Sequence, residues 1–147
     1  SVRAKTNAQW LGANVETSWA GGTTVSTFER NRLAIAVIGL SDLAGVEGFT
    51  ERPLEGVISS TLAQASRAPV VVVLMQGCST EVKKLVAAHA EWKIDLVVAA
   101  PCEGSTNERV GSTMLVHPSA EEFVDLRAEV GQVRSLAVSV QPLPVAE

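Results

Sequence analysis

Residues able to do chemistry cluster at three places, each just past an apolar run: Ser41-Asp42, Gln76-Gly77-Cys78 and Pro101-Cys102-Glu103. A carboxylate, a carboxamide and two thiols in adjacent loops offer general-base, metal-ligating or thiol chemistry. In open α/β sheets, ligand sites gather beyond the carboxyl ends of the parallel strands, where these loops would lie. Cys78 and Cys102 leave three readings open. Each is a small apolar filler at a strand end, or the two meet as a disulfide, a dithiol or half of a soft-metal site, or one of them is an exposed thiol. His89 falls on the apolar side of a helical pattern and reads as a packed, hydrogen-bonded core or boundary residue. His117 follows a strand and precedes Pro118, so it reads as a surface-turn residue, the alternative being a place on the same rim as Asp42. Glu121-Glu122 reads as a solvated face.

The elements that would position these groups follow from hydrophobic patterning. Leu33–Leu40 (LAIAVIGL), Val70–Met75 (VVVVLM) and Ile94–Ala100 (IDLVVAA) are short apolar runs, as expected of strands buried on both faces. Between the first two, Pro53 opens a helical pattern whose apolar positions Leu54, Val57, Ile58, Leu62 and Ala65 share one face. Between the second and third, Ser79 or Thr80 is placed to cap a helix carrying Val82, Leu85, Val86, His89 and Trp92 on one side, with Glu81 suited to its N-terminal dipole. Ser112–Val116, Phe123–Val130 and Val133–Val140 read as further strands, the last two meeting at a tight hairpin around Gly131-Gln132. Right-handed crossovers make the first three strands parallel. The expected architecture is a layered α/β half-sandwich: about three parallel strands, two crossover helices and a C-terminal antiparallel hairpin. One domain over residues 1–147 is expected, with residues 1–27 as a polar N-terminal segment.

Composition narrows the partners. The chain has 147 residues, 46% hydrophobic and 19% charged, with a net charge of -4, which suits one folded domain rather than disorder. An acidic balance argues against a nucleic-acid or anionic-membrane partner held by bulk charge. The longest apolar run, Pro69–Met75, is far short of the roughly 20 residues of a membrane span. The start, Ser1-Val2-Arg3-Ala4-Lys5, has no apolar core of a signal peptide. Two cysteines are too few for a disulfide scaffold, and no C-x-x-C-H, G-x-G-x-x-G, Walker loop or H-E-x-x-H occurs. A soluble protein is expected, with cytoplasmic and exported locations both open.

The order of segments carries more than any one of them. Ala13-Asn14-Val15, then Phe28–Leu40 (FERNRLAIAVIGL), Val71–Cys78 (VVVLMQGC), a helix, Ile94–Glu103 (IDLVVAAPCE) and Val110–Pro118 (VGSTMLVHP) run in sequence. From about Gln9 onward, this resembles calcineurin-like metallophosphoesterases of the 5′-nucleotidase type. There an "a-N-v" segment precedes a hairpin and "g-x-k-i-g-v-i-G-l", then "v-v-l-l-S-H-l-G", a helix, "i-D-l-v-v-g-G-H-x-H" and "v-G-x-t-l-l-v-q-p-g". The resemblance implies the C-terminal half of that fold, with the family's D-x-H, Asp and Asn-His ligands falling ahead of residue 1. It places the "S-H" histidine at Gln76 and the "G-H-x-H" histidines at Pro101 and Glu103. Gln is a poor ligand for a catalytic metal pair, and Pro has no donor. Two-metal hydrolysis needs ions about 3.5–4 Å apart, each held by several ligands. The resemblance thus implies the fold without the activity: no catalytic residues, metal or cofactor, and other protein subunits as partners in a hetero- or homo-oligomer. The vestigial site would comprise Gln76, Cys78, Pro101, Cys102 and Glu103, with Asp42 and His117 on its rim. Two alternatives are a repurposed thiol or metal site at Cys78 and Cys102, and a split phosphoesterase completed by another chain.

Overall fold

In a computed structural model, residues 11–16, 25–41, 47, 50–131 and 134–145 are described. The central layer is a six-stranded mixed sheet in the order β2-β3-β5-β6-β8-β7. Its strands are β2 (Val25–Arg30), β3 (Leu33–Ser41), β5 (Val70–Gln76), β6 (Leu96–Ala99), β7 (Glu108–Val110) and β8 (Thr113–Val116). Two further short strands, β1 (Val15–Glu16) and β4 (Thr50–Glu51), pair antiparallel with each other.

Strands β3, β5, β6 and β8 are mutually parallel, and β2 and β7 close the edges antiparallel. The sheet therefore holds four parallel strands rather than three. The fourth escaped the pattern because β7 intervenes: Glu108–Val110 turns at Gly111 (φ 59°), and Thr113–Val116 returns alongside Leu96–Val98. At the other edge, Asn31 and Arg32 take positive φ (50° and 65°), the left-handed pair that a two-residue turn between β2 and β3 requires.

One face of the sheet is covered by helices α1 (Leu54–Gln64) and α2 (Thr80–Ala88). Ala36, Ile38, Val71, Val73, Met75, Val97 and Leu115 point to that side and pack with Leu54, Val57, Ile58, Val82 and Val86. Pro53 is the N-cap of α1, and Leu54, Val57, Ile58 and Thr61 are its buried stripe at the 3.6-residue period. The second helix is shorter than the apolar spacing through Trp92 suggests. It ends at Ala88, with His89 as C-cap, and Trp92 is carried into the core by a turn in which its N–H donates to His89 O at 3.0 Å. Ser79 is the N-cap of α2, but its hydroxyl makes no capping bond.

The other face is covered by the hairpin of β9 (Glu122–Val130) and β10 (Arg134–Pro142), antiparallel from Arg134↔Val130 to Pro142↔Glu122. It forms its own two-stranded sheet. Alternation explains this: Val124, Leu126, Ala128, Leu136, Val138 and Val140 present one apolar side, packed on Val70, Val72, Leu96 and Val116. An ion pair fastens it. Arg134 donates through Nη2 to Asp95 Oδ1 and through Nη1 to Pro69 O (2.5 Å), and Asp95 Oδ2 accepts the Val71 N–H at 2.8 Å. Among the described residues, no helix is long and apolar enough to cross a membrane.

Candidate functional site

The parallel strands end together on one rim, and a short segment builds up its edge. Strand β2 reaches only to the level of Ile38. Beyond that level, residues 11–14 take its place beside β3. Ala13 N–H donates to Gly39 O at 2.8 Å. The Asn14 carboxamide does what a backbone peptide would: Nδ2 donates to Ser41 O at 2.7 Å and Oδ1 accepts from Ser41 N–H at 2.9 Å. Gly39 is needed for this approach, because a Cβ there would lie 2.3 Å from Leu11 Cβ. Arg52 ties the next layer down, donating from its backbone to Asn14 O (2.7 Å) and from Nη2 to Ala13 O (2.5 Å).

Two hollows open on this rim. A cleft of about 430 Å³ lies where α1 and α2 start, lined by Asn14, Ser41, Arg52, Leu54, Cys78 and Thr80 among others. A more apolar hollow of about 480 Å³ lies on the hairpin side, beyond the hairpin's reach, lined by Leu11, Leu74, Gln76, Val98, Ala100 and Pro118 among others. Leu74 is 43% exposed there, although it stands in a central strand.

The candidate residues are divided between these features. Gln76 ends β5, is exposed, and accepts a 3.5 Å contact from Ser41 Oγ. Gly77 then leaves the strand at φ 111° and puts exposed Cys78 in the cleft. Pro101 and Glu103 are exposed, and half-buried Cys102 opens a turn in which its N–H donates to Ser105 Oγ at 3.0 Å. Neither Cys102 nor Glu103 lines the cleft or the hollow. No disulfide joins Cys78 and Cys102. Asp42 lies outside the described residues.

His117 follows β8 and sits beside the start of α2. Its Nε2 is 2.7 Å from Ser79 Oγ, which accounts for the missing helix cap, and its backbone N–H donates to Asn107 Oδ1 at 2.8 Å. Its Nδ1 is buried without a hydrogen-bond partner. Sequence reasoning missed the Ser79–His117 pair and the role of Asn14. No local spacing announces either, since the partners are 38 and 27 residues apart.

Solved structures share this fold. A 5′-nucleotidase from Staphylococcus aureus superposes over 98% of the chain with a TM-score of 0.75 and 16% identity, using 34% of its own length. The chain has a metallophosphoesterase-like fold. The sulfate thiohydrolase SoxB of Thermus thermophilus matches 96% of it at TM-score 0.64 and 25% identity, over 29% of its own length. The NAD nucleotidase NadN of Haemophilus influenzae matches 93% at TM-score 0.65 and 11% identity, over 35% of its own length. The chain therefore spans about a third of the length of these proteins. No protein-family model and no curated protein matches the sequence.

This fold family implies a dinuclear metal centre, and the donors among the described residues of this rim do not fit one. Among the described residues, no three His, Cys, Asp or Glu side chains converge as a metal site. At the strand ends stand a carboxamide, a proline, a turn glutamate and a histidine already paired with Ser79.

Proposed function

We propose that this chain is a non-catalytic metallophosphoesterase-like module that serves as a structural and interaction subunit of a larger protein assembly. The observation that carries this reading is the donor chemistry of the rim. Gln76, Pro101 and Glu103 occupy the strand ends where the resemblance expects histidines, so the metal motifs are degenerate. Glu51 and Glu81 line the cleft and Glu103 does not, and no three described His, Cys, Asp or Glu side chains converge to hold two cations at bridging distance.

The uncovered hollow supports the interaction role. A leucine nearly half exposed on a central strand, beside Val98, Ala100 and Pro118, is apolar surface that another protein surface would bury. We assign the vestigial site to Gln76, Cys78, Pro101, Cys102 and Glu103, with His117 and Asp42 on its rim.

Native mass spectrometry of the protein isolated from its source tests the reading. A metal-free complex with other polypeptides is the expected spectrum. A lone chain carrying transition-metal ions would overturn it and make Cys78, Cys102 and Glu103 the candidate ligands.

A further inference from the structure

Both ring nitrogens of His89 face carboxylates. Nε2 lies 2.7 Å from Glu55 Oε1, in the first turn of α1, and Nδ1 lies 2.9 Å from Glu91 Oε1, just past α2. The ring lies flat on Trp92, with centroids 4.2 Å apart and planes within 7°. Trp92 is itself buried, so the platform under the imidazole is fixed. A neutral imidazole has one N–H and one lone pair. It can satisfy one of these carboxylates and must turn its lone pair on the other. Only the imidazolium donates to both, and it also gains cation–π attraction from the indole.

The far end of this bridge is next to the cleft. Glu55 follows Pro53 and Leu54, which line the cleft, and the N-terminus of α1 has no side-chain cap to hold it. Thr80 and Glu81, at the start of α2, line the same cleft. We infer that His89 is a proton-operated latch between the first turn of α1 and the corner after α2, and that its protonation sets how firmly one wall of the cleft is held. The groups facing the ring are Glu55 from α1, and Glu91 and Trp92 from the corner itself.

The sign follows from the charges. Hydrogen bonds from Glu91 first and Glu55 second raise the His89 pKa above its ordinary value, outweighing the desolvation that lowers it, and the bond to His89 holds Glu91 below its own. The latch is therefore fully closed below the unfolded-state value of about 6.5 and opens as pH rises through the higher folded-state value. When the proton leaves, an Nδ1–H retained by Glu91 leaves the Nε2 lone pair facing Glu55. The α1 contact is then the one released.

Nitrogen-15 NMR of the His89 ring tests this, with amide-exchange protection factors measured over the same pH range at Val57, whose N–H is the first in α1 to find an acceptor (Pro53 O, 3.2 Å), and at Ile58 and Ser59 after it. We expect an inflection above the ordinary histidine value, both ring nitrogens protonated on its acid side, and protection of the α1 first turn that falls through that inflection. Glu55→Gln, which keeps the side-chain length, is expected to shift the inflection down and to remove the pH dependence of protection. Because Glu55 and Glu91 are exposed, this variant leaves the fold intact. A His89 inflection at or below the ordinary histidine value would overturn the latch. So would α1 protection that ignores the His89 inflection, or a Glu55→Gln inflection unchanged from the parent.

Discussion

Replacing Asn14 removes a side chain that the structure uses as a piece of backbone. Its carboxamide completes the ladder beside β3 with one donated bond of 2.7 Å and one accepted bond of 2.9 Å, both to Ser41, and it is 1% exposed. Asn14→Ala leaves the Ser41 N–H and C=O without these partners inside the protein. Each stranded buried group costs about 1–3 kcal/mol, so roughly 2–6 kcal/mol is at stake. That is a large part of the 5–15 kcal/mol that holds a domain of roughly this size. Melting should fall by about 4–24 °C, at roughly 2–4 °C per kcal/mol. Asn14→Asp sharpens the test. Ionised, it buries a charge and sets an oxygen against the Ser41 carbonyl. Protonated, it can both donate and accept as Asn does. Its folded-state pKa is thus raised, and its stability deficit against the parent should shrink as pH falls toward 4. Urea unfolding followed by circular dichroism at pH 7 and pH 4 measures both variants. An Asn14→Ala loss within about 0.5 kcal/mol, the range of ordinary surface changes, would refute the backbone-substitute role. A pH-independent Asn14→Asp deficit would refute it as well.

Further expectations follow from the same geometry. Gly39→Ala should destabilise by about 1–3 kcal/mol through overpacking, because its Cβ would lie 2.3 Å from Leu11 Cβ; chemical denaturation with an unchanged m-value is the check. Arg134→Met should loosen the hairpin, at a cost of about 1–3 kcal/mol, by leaving buried Asp95 with the Val71 N–H but no cation; exchange protection should fall in β9 and β10 before it falls in β5. Leu74→Glu should leave unfolding energy within about 0.5 kcal/mol, because the side chain is already 43% exposed, yet abolish association with the partner found by native mass spectrometry. Retained association would move the interface elsewhere.

The buried strands were legible because long β-branched runs bounded by polar loops admit few other readings, as at Val70–Gln76. The α1 start was equally plain from Pro53 and the stripe at Leu54, Val57 and Ile58. What failed was whatever depends on distant partners. The pattern carried α2 on through His89 and Trp92, because a turn can place two residues on the core side as well as a helix can. The parallel role of β8 was hidden by the three-residue β7 before it. Residue type alone makes Ser79 or Thr80 the cap of α2, and only the fold brings His117 to the Ser79 hydroxyl. The rim was foreseen from strand ends, but the separation of Cys78 in the cleft from Cys102 in its own turn was not. Sequence locates loops at a rim without saying which way each side chain leaves it.

The proposed non-catalytic role requires that this rim hold no catalytic metal pair. Titration of the metal-stripped protein with Mn²⁺ and Zn²⁺ by isothermal calorimetry, with bis-p-nitrophenyl phosphate hydrolysis followed in parallel, tests it most directly. The account predicts no saturable binding of two ions and no metal-dependent turnover. Stoichiometric binding of a metal pair with hydrolysis that depends on it would contradict the account.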